Sequence, residues 1–382
     1  MVWLPFFCER LIMVTAVVMV GEGRSGQGPD AWVQEARRAA ALDLLFQLSR
    51  QPLIERLVLV SPYEEGLERA PVDEYVCSDP GPIHVGRELA ALTDRFGISR
   101  LLYFGGGSAP LLKDATLSAI VEQLAGAEQL VVTNNQFASD WVGLIPATAI
   151  DDWLPRLPRD NMLGWVLSSE AGLPVQAQQA NAASRLDIDT PIDLLALRLH
   201  PDTKENLRQA LDAMRLPLAN LDAALTVLAT PASHVFIAGR LGPSVWLAIN
   251  KATRSWLRVV SEERGMVSSG RQERGEARSV IAAHIEAVGM RNYFEMLAEW
   301  SDAAFIDTRV LLAHHGRWPD PSSRFASDLG RVEQIDDEWL RAFTEEAVRA
   351  PIPVVLGGHG LMSGAMLAFC EIMESRPAVQ SV

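Results

Sequence analysis

Asp187 and Asp189 are the pair of side chains in this sequence best placed to do metal chemistry. They lie in RLDIDTPIDLL, from Arg185 to Leu195. Read as a strand, Leu186 and Ile188 face one way and both aspartates the other, because side chains alternate along a strand. Two carboxylates on one face at a strand's C-terminal end suit a hard cation such as Mg2+. The rest of the segment needs no function. Thr190 suits a helix N-cap, Pro191 the first helical position, and Asp193 the third, from which it can reach back to the cap. A well-capped strand-to-helix turn is therefore the competing account of the whole segment.

Three glycine-bearing or amide-bearing loops could hold an anionic ligand. GEGRSGQG (21–28) follows an apolar run and precedes a helical stretch, where backbone N–H groups and a helix start can cradle phosphate. Gly21, Gly23 and Gly26 would supply the backbone and Arg24 the charge. The loop does not end in Gly-Lys-Ser/Thr, so it is no Walker loop. In FGGGSAPLL (104–112), Gly106, Gly107 and Ser108 follow a strand and leave room for close approach. In TNNQFASDW, Asn134 and Asn135 could donate to and accept from a base, sugar or acid. A flexible turn, a tight turn and an Asx turn are the respective alternatives.

The second half carries another polar set. Arg271, Arg274 and Arg278 fall at i, i+3 and i+7, one face of a helix expected over 270–288 and opened by Ser268, Ser269 and Gly270. Such a stripe could clamp phosphate or carboxylate, or could be a solvated face. Asp307 and Arg309 are expected on a strand over 303–312, followed by His314, His315, Arg324 and Asp328. Adjacent histidines on a strand would face opposite ways, and no HxH or HExxH spacing supports zinc. His359 sits at the tip of GGHGLMSGAM, a second glycine-rich turn able to accept an anion. No G-x-S-x-G elbow exists, which disfavours a hydrolase triad.

The elements that must position these residues are legible as alternating strands and helices. TAVVMV, RLVLVSP, RLLYF and QLVVTNN are short apolar strands separated by helical stretches near 30–49, 84–96 and 114–124. That pattern predicts a parallel α/β sheet covered on both faces. Residues 151–185 read as an irregular lobe. A second alternation begins with HVFIAGR (234–240) and WLRVVSEE (256–263) and closes with PVVLGG (353–358) and a last helix over 361–374. The fold class expected is α/β throughout: a Rossmann-like first domain over 13–200 and a second α/β domain over 201–382.

Composition narrows the partners. The chain has 382 residues, is 48% hydrophobic and 21% charged, and carries a net charge of -14, so a basic nucleic-acid face is not expected. Its three cysteines show no metal spacing and point to a reducing, cytoplasmic setting. Residues 1–12 read either as an extension or as an over-called start with Met13 the initiator, and not as a cleaved leader. No stretch approaches the roughly 20 apolar residues of a membrane span. Self-association is left open.

DIDTP, with Pro110-Leu111-Leu112 and the glycine loop before it, resembles the small nucleotidyltransferases. These include the molybdenum-cofactor guanylyltransferases, the methylerythritol-phosphate cytidylyltransferases and the 2-phospho-L-lactate guanylyltransferases. The resemblance spans 13–200 in the order of its parts and is close only at DIDTP. It implies a GT-A-like sheet and attack by a phosphate or acid oxygen of a small anionic metabolite on the α-phosphate of an NTP. It also implies Mg2+ held by Asp187 and Asp189, with Arg24 and Asp189 as the catalytic residues. The sequence departs from that pattern twice. No lysine precedes Lys113, and Gly105-Gly106-Gly107-Ser108 stand where a Gly-Asp metal ligand would be. Three alternatives stay open: a nucleotide binder with altered catalysis, a phosphometabolite enzyme centred on Arg271, Asp307, Arg324 and His359, and a non-catalytic assembly protein.

Overall fold

Val14–Met19 (β1) is apolar at nearly every position and buried at all of them, as a strand covered on both faces must be. Ala16 and Val18 pack with Leu45 and Phe104 on one face, while Val17 and Met19 pack with Leu89 and Leu144 on the other. The structure, a computed structural model, describes residues 13–21, 28–81 and 83–376. Expectations for Gly23, Arg24, Gly26 and the first twelve residues lie outside them. The described chain forms two compact units, one of residues 13–21 and 41–179, the other of residues 28–40 and 180–376.

The first unit is built on seven strands. Besides β1 they are β2 (Ile54–Ser61), β3 (Glu74–Cys77), β4 (Leu101–Gly105), β5 (Leu130–Thr133), β6 (Trp141–Ile145) and β7 (Val175–Ala177), in the order β3-β2-β1-β4-β6-β5-β7. Helix α1 (Pro29–Leu48) precedes β2, α2 (Val85–Phe96) precedes β4, and α3 (Asp114–Gly126) links β4 to β5. The sheet is not wholly parallel, as the sequence pattern suggested. β6 runs antiparallel to both β4 and β5. The reason is the connection: residues 134–140 are too few for a parallel crossover, so the chain turns back.

The second unit holds a four-stranded, all-parallel sheet in the order β11-β10-β8-β9. Its strands are β8 (His234–Gly239), β9 (Trp256–Ser261), β10 (Ala303–Asp307) and β11 (Val354–Gly357). Helix α4 (Pro191–Leu199) lies ahead of them, and α5 (Pro243–Ala252) links β8 to β9. Then come α6 (Val280–Val288), α7 (Thr308–His314), α8 (Pro321–Asp328), α9 (Glu338–Arg349) and α10 (Gly364–Ser375). Phe236, Phe294, Ile306, Phe343 and Leu356 centre its core.

Three local expectations fail here. RLDID forms no strand: a short helix runs over Ala182–Arg185 and only an isolated bridge follows at Asp187, so Asp187 and Asp189 do not share a strand face. The helix expected from 270 begins only at Val280, because Gly265, Gly270 and Gly275 take φ of +77°, +70° and +65° and wind the intervening chain into turns. The strand expected over 303–312 stops at Asp307, whose carboxylate accepts the Arg309 N–H and starts α7. Asp307 thus ends a strand, and Arg309 lies on a helix. Among the described residues no helix is long and apolar enough to cross a membrane.

Candidate functional site

In the first unit the strand order reverses between β1 and β4, the place where open α/β sheets leave a crevice at their C-terminal ends. Gly106 lies there. A Cβ at this position would be 2.9 Å from Val20 Cα and 3.1 Å from Met19 O, so only glycine lets the end of β4 lie against that of β1. At Gly105 a Cβ would stand 3.3 Å from Asp160 Oδ2, which also accepts the Tyr103 hydroxyl at 3.1 Å. Gly107 completes the turn, and the Ser108 hydroxyl is spent on it, donating to Gly105 O at 2.7 Å. Gly21 is exposed, with open space around it.

Asn134 is buried and braces the loop. Its Nδ2 donates to Asp140 Oδ2 at 2.7 Å, and its Oδ1 accepts the N–H groups of Asp140 and Trp141. Asn135 Oδ1 accepts the Phe137 N–H, the Asx turn that the sequence offered as the alternative. The sequence reading missed Tyr103 and Asp160. It also missed the exposed pair Phe137 and Trp165, whose ring centroids are 5.5 Å apart.

RLDIDTPIDLL belongs to the second unit. The capping expectation holds: Asp193 Oδ2 accepts the Thr190 N–H at 2.8 Å, the Thr190 hydroxyl at 3.0 Å and the Asp189 N–H at 3.1 Å. Burial, then the charge of Asp189, pushes the Asp193 carboxyl up to about 7. Asp189 itself is ion-paired with Arg37, which also donates from Nε to Ile188 O. Burial works against the Arg37 charge, but Asp189 and Asp187 together hold its pKa above the ordinary value. Arg37 therefore offsets one of the two carboxylate charges expected to hold Mg2+, and a metal bound there would have to open its ion pair with Asp189.

The strand order of the second unit reverses between β8 and β10, and there the charge is dense. Arg240, just past β8, donates to both oxygens of buried Asp307 at 2.7 and 3.1 Å. Although burial alone would raise it, Arg240 holds the Asp307 carboxyl below the ordinary range. Gly239 must be glycine: its φ is +143°, and a Cβ would lie 2.3 Å from that of Asp307. A second buried fork joins Arg309 to Asp328 at 2.7 and 2.6 Å. Arg309 also donates to Thr308 Oγ1, whose hydroxyl donates to Gly357 O.

The last glycine turn meets the DIDTP segment within this unit. A Cβ on Gly360 would be 2.5 Å from Asp193 Oδ1, and one on Gly364 would be 2.3 Å from Leu186 Cα. His359 on this turn is solvent-exposed, yet desolvation by the surrounding protein and then the Arg240 charge push its imidazole down to about 4. Arg240, Arg264 and Arg37 are the residues that sequence reasoning overlooked. Only the Gly239-Arg240 dipeptide at the end of β8 could have pointed to the first of them.

The arginine stripe does not form. Arg271 pairs with Glu263 at 2.8 Å, Arg274 forks onto Glu276, and Arg278 donates to the carbonyls of Gly275 and Ala277. Arg324 stacks on Trp318, 4.9 Å from the ring centroid, and donates to Pro319 O. His314 and His315 end α7 rather than a strand, and both face Glu286, at 3.6 and 3.3 Å. His314 Nδ1 accepts the Ser279 N–H, and Glu286, His314 and His315 each bring one ligand atom within 4.8 Å of the others, a grouping that could hold a metal ion.

No protein-family model and no curated protein matches this chain. Several solved structures resemble it. A cytidylyltransferase from Leptospira borgpetersenii is 15% identical with a TM-score of 0.37, covering 53% of this chain and 94% of its own. Rv0371c from Mycobacterium tuberculosis is 20% identical with a TM-score of 0.33, covering 53% and 98%, and has also been solved with manganese. The 4-diphosphocytidyl-2C-methyl-D-erythritol synthase from Anaerococcus prevotii is 10% identical with a TM-score of 0.34, covering 53% and 97%.

Proposed function

We propose that this chain is a nucleotidyltransferase-like enzyme that binds an NTP at the C-terminal end of the seven-stranded sheet. The observation that carries the reading is Gly106, where the ends of β1 and β4 meet so closely that no side chain fits. A crevice floored by bare backbone lets phosphate oxygens reach N–H groups directly. In the reaction, an oxygen of a small phosphorylated or acidic metabolite forms a bond to the α-phosphorus. The bond from that phosphorus to the bridging oxygen breaks, and pyrophosphate leaves with the electron pair. Such chemistry asks the protein for positioning and for charge stabilisation.

Mg2+ at Asp187 and Asp189 would have to displace Arg37 from Asp189, so it is not assigned there. That pairing also favours a second reading, a domain that binds nucleotide with its transfer chemistry altered. A panel of NTPs tested by thermal shift, with and without Mg2+, separates these readings. At least one NTP is expected to raise the melting temperature, and Asp189→Asn is expected to leave any Mg2+ dependence unchanged. If no NTP raises it, the nucleotide reading fails. If Asp189→Asn abolishes the Mg2+ dependence, Arg37 is displaced in the working state. Pyrophosphate release on adding candidate metabolites then distinguishes transfer from binding.

A further inference from the structure

The C-terminal end of the four-stranded sheet holds polar groups that the ion pairs around them do not consume. Arg264 is exposed and makes no hydrogen bond or ion pair among the described residues. Its guanidinium lies against Gly242, where a Cβ would stand 3.7 Å from Nη2. Gly242 is the N-cap of α5 and has no side chain to cap it, and Pro243 at the first position has no N–H. The N–H groups of Ser244 and Val245 therefore have no intrahelical acceptor and carry the positive end of a ten-residue helix.

Arg240 adds to this set from inside. It is nine-tenths buried, and its Nε and Nη2 are fixed on Asp307, while Nη1 makes no hydrogen bond. Neither nitrogen of the His359 ring is hydrogen-bonded among the described residues. The turn that carries it packs on the end of β8, where a Cβ on Gly239 would lie 3.2 Å from Met362 Cγ, and the charges acting on the ring include Arg240, Asp307, Asp189 and Arg264. Asp307 is matched by Arg240, and Asp189 by Arg37, so the unmatched charge is that of Arg264. All of this lies where the strand order reverses between β8 and β10, the usual crevice of such a sheet.

We propose that this crevice is a second ligand site, taking the phosphate group of a small metabolite between Arg264, His359 and the uncapped start of α5. Arg240, just past β8 and held rigid by Asp307, adds its charge to the set. A phosphate suits the set better than a carboxylate, because a guanidinium, an imidazole and two backbone N–H groups offer donors to more than two oxygens. The site is independent of the nucleotide reading, since every residue in it belongs to the second unit.

Calorimetric titration of the full chain with inorganic phosphate tests the assignment. Arg264→Ala removes a side chain with no partner and should fold normally. It is expected to weaken phosphate binding by about tenfold or more. His359→Gln is expected to weaken it severalfold, and Arg291→Ala, an exposed arginine elsewhere in the unit, to change nothing. Acetate is expected to bind much more weakly than phosphate. Unchanged phosphate affinity in both Arg264→Ala and His359→Gln, or no phosphate binding in the millimolar range, overturns the site. Acetate binding as tightly as phosphate overturns the ligand class.

Discussion

The two sheets reverse their strand order in the same way and furnish the reversal point in opposite ways. Between β1 and β4 the chain presents glycine, with Gly106 against Val20 and the turn sealed by Ser108. Between β8 and β10 it presents charge, with Arg240 forked onto Asp307 and Arg309 onto Asp328. Bare backbone selects a ligand by shape and by donors along the main chain. A crevice of paired charges is fixed before any ligand arrives and can spare only what the pairs leave over. The same topological position can thus be made receptive by removing side chains or by locking them.

The contrast breaks first at the buried pairs. Arg309→Ala leaves the buried Asp328 carboxyl without its partner, and should cost about 3–5 kcal/mol in urea denaturation. Arg37→Ala, which opens the partly exposed pair with Asp189, should cost about 1 kcal/mol or less. Equal losses would mean that the second sheet's charges are not locked in the way their burial implies. In the first unit, Gly106→Val drives a side chain into the backbone of Val20 and should cost about 1–3 kcal/mol. Gly21→Ala, which meets nothing within 4 Å, should stay within about 0.5 kcal/mol of wild type. If the two glycines prove equally replaceable, the close approach at β1 and β4 is not what fixes Gly106.

A finer difference concerns protons. The Asp193 carboxyl is held near 7 in the fold, against 3.8 ordinarily. The native state therefore binds a proton there that the unfolded chain has released. The stability this lends is full below about pH 4 and is lost as pH rises through about 7. Asp193→Asn should flatten that decline when denaturation midpoints are compared at about pH 5 and pH 8. An identical pH slope in the variant would show that the carboxyl is ionised throughout.

How much of this could be read from the residues depends on distance along the chain. TAVVMV, RLVLVSP and PVVLGG announce themselves as strands because buried parallel strands are continuously apolar. The Thr190–Asp193 cap was legible because its donors and acceptors sit within four residues. The helix through Arg271, Arg274 and Arg278 was misread because periodicity outweighed the glycines spaced five apart, which break it. The pairing of Arg37 with Asp189 spans 152 positions, and no local pattern encodes it. The likeness of DIDTP to a metal motif was therefore visible, and the guanidinium that answers it was not.

The membership of residues 28–40 in the second unit has a consequence for how the chain is made. Arg37 emerges during synthesis 152 residues before Asp189. At ordinary translation rates that is a wait of about 8 to 30 s. Throughout it Trp32, over which Arg331 later lies, also has no partner from its own unit's C-terminal part. A fragment beginning at residue 180 would lack both side chains permanently. Supplying 28–40 as a separate peptide should restore to it what no change of buffer can.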